Sequence, residues 1–458
     1  MQSFSTSPEI LEAIGKQKAF FAAGGTRNVA ARKQVLRQLL HMLQVEEQKI
    51  FDALHADLRK TNYEAYLTEI GPSLAEVKYL LKKVGKWSKP KRVGGFLAGF
   101  PSKNFIQSEP YGTALIISTW NYPLYLAITP VAAAIAAGNN VILKPSEYAP
   151  HTERLLVEII EKHIPKEWIW VVNGGVEESK FLLAQKFEYI FFTGSTQVGY
   201  HVMKAAAEQL TPVTLELGGK SPCIVDNSAN IKVAAMRIAW GKYINAGQTC
   251  VAPDYLYVHE VVYDRFVEEL KKAFTSFKAE NPDGVAKIID ARHFDRLEKL
   301  LGNKKPSYGG MRNKENLHFS PTLLENVGWD DAVMQEEIFG PLLPIIKWRN
   351  EADMIAEIKK QAAPLSLYIF SNSKAFQDKV IAEIPFGGGC INDVIAHLGN
   401  ANLPFGGVGQ SGIGHYHGKF GFDTFSHKKA ILKKPVWPDF AMRYPPYKKG
   451  VGLLRRIF

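Results

Sequence analysis

Between residues 113 and 217, short apolar runs alternate with longer amphipathic or alanine-rich stretches, and no other feature constrains the fold of this chain as much. Residues 113–118, 140–144, 169–172, 189–192 and 213–217 read as strands. Each is almost wholly apolar, as strands buried on both faces are. Residues 123–137, 153–163, 176–185 and 196–209 read as the helices between them. The first of these is alanine-rich, bends at Pro130 and stops at Gly138. Such regular alternation predicts a parallel sheet with helices on both faces and ligands at the carboxyl ends of its strands.

The flanking stretches are less regular. Residues 8–60 read as helices, with Ser7-Pro8-Glu9 as a cap followed by proline at the first helical position. Leu36, Leu39, Leu40 and Leu43 recur at helical spacing, as do Ile50, Phe51, Leu54 and Leu58, and then Leu74, Val77, Leu80 and Leu81. These amphipathic helices pack on a domain and show no chemistry of their own. Residues 86–110 are broken by Pro90, Gly94, Gly95, Pro101 and Pro110 and leave the first domain, with 104–109 as an extended edge strand. In the second half, strands at 255–258, 342–346 and 367–370 precede helices at 263–277, 351–360 and 375–384, which predicts a second α/β domain. After Phe405 the chain is glycine-rich, then β-like at 422–425, then basic.

With 458 residues, 46% hydrophobic and 22% charged, the chain is globular and long enough for two or three domains. Its net charge of +11 is partly local, in Lys82, Lys83, Lys86, Lys89, Lys91 and Arg92 and in Lys428, Lys429, Lys433 and Lys434. No zinc-finger spacing or RNP-like motif accompanies it, so a basic surface is expected and no nucleic-acid partner. Three cysteines argue against a disulfide framework and for a reducing, cytoplasmic setting. The first residues lack the pattern of a signal peptide, and no apolar run has the length of a membrane span. The histidines, His415 and His417 included, lack metal-ligand spacing, and no metal is expected.

Polar groups at the strand ends suit a nucleotide, although the G-x-G-x-x-G fingerprint is missing. The first strand runs into Trp120-Asn121-Tyr122, where Asn121 can cap a helix or donate its amide to a developing oxyanion. The second ends in Lys144-Pro145-Ser146-Glu147, whose lysine and carboxylate can hold ribose hydroxyls. The fourth ends in Thr193-Gly194-Ser195, either an ordinary capped helix start or a diphosphate site at a helix N-terminus. Glu216 interrupts an apolar strand, where burial is costly unless the group is hydrogen-bonded or functional. Partial desolvation would raise its pKa toward that of a general base. Residues 336–341 form an acidic, aromatic turn, either a solvated loop or a seat for a ribose and a planar ring. Cys250 ends a glycine-containing turn after an apolar run through Ile238, Ala239 and Trp240. On its own it is a packed small hydrophobe or a nucleophile with equal reason. Cys223 and Cys390 read as structural.

Six of these stretches, in this order, resemble the aldehyde dehydrogenase superfamily: TWNYP at 119–123, LKPSE at 143–147, FTGS at 192–195, LELGGK at 215–220, GQTC at 247–250 and EEIFGP at 336–341. WGKY at 240–243, APDY at 252–255, YHGK at 416–419, FDTFSH at 422–427 and YPPY at 444–447 are similar to its class 3 branch, which takes fatty and aromatic aldehydes. The resemblance implies an α/β fold with a Rossmann-like cofactor domain at 1–85 and 111–217 and a second α/β, catalytic domain at 218–408. It further implies a small β oligomerisation arm at 86–110 and 420–436, a carboxy-terminal tail at 437–458 and a homodimer.

By the same resemblance, Cys250 attacks the aldehyde to give a thiohemiacetal, Asn121 and the Cys250 N–H hold the oxyanion, hydride transfer leaves a thioester, and Glu216 activates the water that releases the acid. Trp120, Lys144, Glu147, Gly194, Ser195, Leu217, Gly218, Glu337 and Phe339 fall to the cofactor. Glu147 repels a 2′-phosphate and Lys144 attracts one, so NAD is expected, with NADP as the second choice. Tyr122, Trp240 and Phe405 line the aldehyde tunnel or pack as core. A CoA-acylating enzyme and a non-catalytic structural relative are the rival readings. The tail at 448–458 alternates basic and apolar groups, and a packed end is expected there over contact with a membrane surface.

Overall fold

The computed structural model describes residues 4–96, 99–278, 284–439, 443–447, 451, 452 and 455. The chain opens with helices α1 (Ser7–Ala22), α2 (Val29–Val45), α3 (Glu47–Leu58), α4 (Asn62–Ala65) and α5 (Gly71–Trp87), a π-helical turn, Tyr66–Ile70, joining the last two. Thr6, one residue earlier than expected, caps α1, and Glu9 reaches back to its N–H and hydroxyl. Leu36, Leu39, Leu43, Ile50, Leu54, Val77 and Leu80 form the buried stripe that the helical spacing predicts.

Strands β1 (Lys91–Val93) and β2 (Lys103–Pro110) then leave the body. The alternating series follows as β3 (Thr113–Ile117), α6 (Tyr125–Ala137), β4 (Asn140–Lys144), α7 (Pro150–His163), β5 (Ile169–Val171), α8 (Val176–Leu183), β6 (Tyr189–Thr193), α9 (Thr196–Glu208) and β7 (Val213–Glu216). Its strands lie parallel in the order β5-β4-β3-β6-β7. Every residue of β3, β4 and α6 is buried, which explains their continuous apolar runs. Gly138 ends α6 at φ 102, and Arg32 from α2 donates to the Ala137 carbonyl at 2.9 Å. A Cβ on Gly138 would stand 2.4 Å from that guanidinium carbon, so the cap and the glycine require each other.

The second half contributes β8 (Pro222–Val225), α10 (Ile231–Tyr243), β9 (Tyr255–His259), α11 (Tyr263–Ser276), α12 (Ala291–Leu301), the short pair β10 (Arg312–Asn313) and β11 (His318–Phe319), and β12 (Thr322–Leu324). It continues with α13 (Ala332–Gln335), β13 (Leu342–Trp348), α14 (Glu351–Lys359), β14 (Ser366–Phe370), α15 (Lys374–Glu383) and β15 (Gly388–Ile391). A second sheet, β12-β13-β9-β8-β14-β15, is parallel throughout. The chain then returns to the first sheet, where β16 (Gly412–Ile413) runs antiparallel to β7.

Two expectations need correction. Residues 104–109 belong to the central strand of a three-stranded arm, β1-β2-β17, with β17 (Ser426–Lys433) paired along the whole of β2. Residues 422–424 end a helix, α16 (Gly418–Thr424), rather than a strand. Phe422 and Phe425 are both buried, and a spacing of three fits one helical face, whereas the residue types of so short a run suggest a strand. The Glu76 carboxylate starts that helix by accepting from the Gly418 N–H at 2.7 Å. Among the described residues no helix is long and apolar enough to cross a membrane. The tail reading at 448–458 falls mostly outside the described residues.

Candidate active site

In the first sheet the strand order reverses between β3 and β6, and crevices open at the carboxyl ends of strands where such a reversal occurs. Trp120 and Asn121 follow β3, Gly194 and Ser195 follow β6, and Glu216 ends β7, where its backbone is paired with both Thr193 and Gly412. Two cavities meet there. One is lined by Trp120, Asn121, Gly194, Ser195, Gly218, Glu337 and Phe339, and the other by Tyr122, Tyr125, Trp240, Phe405 and Tyr416. Cys250, Glu216, Leu217, Thr193 and Leu126 line both.

A strained turn delivers Cys250. Asn245, Ala246 and Gly247 have φ of 51°, 52° and 71°, a left-handed run that costs about 1–2 kcal/mol for each non-glycine residue. Gly247 has no room for a side chain, because a Cβ would lie 2.3 Å from the Gly340 carbonyl oxygen. Buried hydrogen bonds hold the turn. The Gln248 amide donates to the carbonyls of Asn245 and Lys287 at 3.0 Å and accepts from the Ile289 N–H at 3.0 Å. The Asn245 N–H donates to Glu64 Oε1 at 2.6 Å. Asn121 faces the same turn, with Nδ2 donating to the Gln248 carbonyl at 3.0 Å and Oδ1 lacking a hydrogen-bond partner.

Charge in this site is held under unusual conditions. Glu216 is 2% exposed and neither carboxylate oxygen has a partner, so burial raises its pKa well above the ordinary carboxylate range. Burial also raises the Cys250 thiol, with the Glu337 and Glu216 charges adding to the rise, while the N–H groups of Cys250 and Val251 oppose it. Glu337 is pushed up to about 8 by burial and by Asp254, against the Gly219 N–H, Lys220 and Arg296.

The first cavity, about 1020 Å³, suits a dinucleotide. The start of α9 borders it with backbone N–H groups fit for a diphosphate, and Ser195 Oγ accepts from the Val198 N–H at 3.4 Å. Gly218 leaves the space that Glu337 fills, since a Cβ there would meet Glu337 Oε2 at 2.0 Å. Trp120 and Phe339 stand edge-to-face at 5.3 Å. The structure does not bring Lys144 and Glu147 to this lining. The Lys144 ammonium is buried, 3.4 Å from Glu153 and 3.6 Å from Glu147. Arg292, His293 and Arg296 from α12 do line it, and the sequence reading missed them. Arg296 donates to the carbonyls of Glu337 and Ile338 and pairs with Glu336, fixing the 336–341 turn.

The second cavity is walled by apolar groups, and two of its hydroxyls are already engaged. Tyr122 OH shares a hydrogen with Thr249 Oγ1 at 2.5 Å, and Tyr125 OH meets His417 Nε2 at 3.2 Å. Tyr122, Trp240 and Phe405 line this cavity together. Among the described residues no cluster of three His, Cys, Asp or Glu could hold a metal ion. The largest omission lies in the first helices, whose sequence shows no chemistry. Lys60, Glu64 and Glu69 all reach this site, and no motif in the sequence marks them.

These features define a class: α/β proteins that set a thiol and an unpartnered carboxylate where a nucleotide-sized cleft meets an apolar tunnel. The chain belongs to the aldehyde dehydrogenase family, whose sequence pattern matches residues 3–431. It is 45% identical over 447 residues to the 4,4′-diaponeurosporen-aldehyde dehydrogenase of Staphylococcus aureus, covering 96% of this chain and 97% of that one. It is 42% identical to the dimeric NADP-preferring aldehyde dehydrogenase of Canis lupus familiaris, covering 96% and 98%. The fold superposes on the substrate-bound state of Staphylococcus aureus AldH with a TM-score of 0.96 at 44% identity, covering 98% and 99%. The chain is thus an oxidoreductase of the NAD(P)-dependent, aldehyde-oxidising type.

Proposed function

We propose that this enzyme oxidises medium- or long-chain aliphatic or aromatic aldehydes to carboxylic acids, with Cys250 as nucleophile and Glu216 as the base for water. The observation that carries this reading is the Glu216 carboxylate, buried and unpartnered beside Cys250 where the two cavities join. Cys250 Sγ, once deprotonated, forms a bond to the aldehyde carbon while the carbonyl oxygen takes the electron pair. The Cys250 N–H and the Asn121 amide stabilise that oxygen. Bound NAD(P)+ would accept the hydride that leaves this carbon, and Trp120, Gly194, Ser195, Leu217, Gly218, Glu337 and Phe339 would hold it. The acyl group then stays on Cys250 as a thioester. Glu216 takes a proton from water, the hydroxide adds to the acyl carbon, and the thiolate leaves with the acid formed.

The apolar tunnel supports a hydrophobic substrate, as does the diaponeurosporen-aldehyde activity in the name of a relative. Water as acceptor, rather than CoA, is favoured by Glu216. NAD is the preferred cofactor in this reading with NADP also used, although the canine relative is NADP-preferring. The 1–85 and 111–217 body is the cofactor domain, 218–408 the catalytic domain, and the β2-β17 arm the contact of a cytoplasmic homodimer, as the dimeric relative suggests.

Two variants test the chemistry. Cys250→Ala abolishes NADH production across a panel of decanal, hexanal and benzaldehyde. Glu216→Gln gives one equivalent of NADH per site and then stalls. Steady turnover by either variant removes the role assigned to that residue.

A further inference from the structure

Lys60 and Glu69 form an ion pair with no exposed side-chain surface, at 2.6 Å, directly behind the catalytic loop. The local sequence places both inward. Arg59 ends α3 in the left-handed region at φ 55, turning the chain so that Lys60 enters the body. The π-helical turn Tyr66–Ile70 inserts an extra residue before α5, and such turns cluster at functional sites. Glu69 sits in it.

What the pair touches is the site itself. Lys60 Nζ donates to the main-chain carbonyl of Asn121 at 3.1 Å and lies 4.1 Å over the ring centre of Tyr122. Asn245 Nδ2, from the Cys250 turn, donates to that same Asn121 carbonyl at 2.8 Å. Glu69 Oε2 accepts from the N–H groups of Leu124 and Tyr125, both at 3.0 Å, fixing the start of α6. The peptide of Asn121 is therefore held from both sides. A buried ion pair gives little net stability over apolar residues of the same shape, so fold stability alone does not account for it.

We propose that Lys60 and Glu69 are positioning residues for aldehyde oxidation, a buried ion pair that sets the Asn121 amide and the Tyr122 ring against Cys250. This rests on the oxyanion role given to Asn121. Misplacing a catalytic group by about 1 Å can cost about 100-fold in rate, so loss of the pair is read in kcat.

The test is a double-mutant cycle on the full chain with decanal and NAD+. Lys60→Met lowers kcat about tenfold or more while KM for NAD+ stays within about twofold of the wild type. Asn121→Ala lowers kcat about 100-fold. Because Lys60 acts through Asn121, the Lys60→Met/Asn121→Ala pair is no slower than Asn121→Ala alone. Losses that multiply in the pair overturn the positioning role while leaving the oxyanion reading intact. Full turnover by Asn121→Ala overturns the oxyanion reading and this proposal with it. Where Lys60→Met does not accumulate as folded protein, Glu69→Gln enters the same cycle. It keeps an acceptor for Leu124 and Tyr125 and removes only the charge. Lys60→Arg, which keeps a donor and a cation, restores part of the lost kcat, and a kcat no higher than that of Lys60→Met counts against the proposal.

Discussion

Glu216 is the residue where function and stability pull apart. Its two oxygens are buried without partners, and a group left so costs about 1–3 kcal/mol. The folded protein also holds its proton to higher pH than the unfolded chain does. Its contribution to stability is therefore full below the ordinary carboxylate range and is lost as pH rises toward the folded-state value. Glutamine does not titrate, so Glu216→Gln should melt above the wild type, and the gap should widen as pH rises above the ordinary carboxylate range. Thermal unfolding as a function of pH checks it, and a gap that closes as pH rises removes the argument. The same shifts set the activity. Glu216 must be ionised to act as a base and Cys250 to act as a nucleophile, and both are pushed up. Turnover of the wild type should rise with pH above the ordinary carboxylate range, and a flat profile would contradict burial as the dominant influence on these two groups.

The element that matters most is the turn at 245–250. Its three left-handed residues are not equivalent. Gly247 is blocked on its Cβ side by the Gly340 carbonyl, so Gly247→Ala should destabilise the enzyme by about 2 kcal/mol or more and lose most of its activity. Ala246, at φ 52, is strained by its own side chain, so Ala246→Gly should be neutral or stabilising by up to about 1 kcal/mol. Chemical denaturation of the two variants decides between strain and packing. The turn also shows what was legible. Cys250, Glu216 and Asn121 lie next to strand ends or turns whose local signals are strong, and the structure joins them. The arm strand 103–110 was visible but its central position was not, because its partner β17 lies more than 300 residues away and pairing at that range leaves no local mark. Lys60, Glu64 and Glu69 were illegible for a related reason. A charged residue on an amphipathic helix reads as solvated, and only tertiary contact buries it. Lys144 shows the converse, since its position at a strand end suggested an open ribose site, yet Glu153 of the following helix buries the ammonium.

At the scale of the molecule, the carboxyl ends of the first sheet meet the segments that lead into β8, β9, β13 and β14 of the second at one seam, with Cys250 reached from two sides. The dinucleotide-sized cleft is lined with Arg292, Arg296 and Lys299, whereas the tunnel has a wall of Tyr125, Trp240, Ile395, Phe405 and Tyr416. A cleft lined by charged groups of both signs on one side and an apolar tunnel on the other separate a polar ligand from a hydrophobic one before chemistry begins. Cleft and tunnel should then be blocked independently. Ala396 lines the tunnel where the chain is exposed, so a larger side chain is accommodated there without disturbing the core. Ala396→Trp should raise KM for decanal about tenfold or more and leave KM for NAD+ within about twofold, since burying a long apolar chain contributes about 0.8 kcal/mol per methylene and the obstruction acts on that chain alone. Acetaldehyde, too short to fill the tunnel, should change little. Steady-state kinetics with both aldehydes checks the claim. A parallel loss for the two aldehydes, or a rise in KM for NAD+, would mean that substrate and cofactor share one way in.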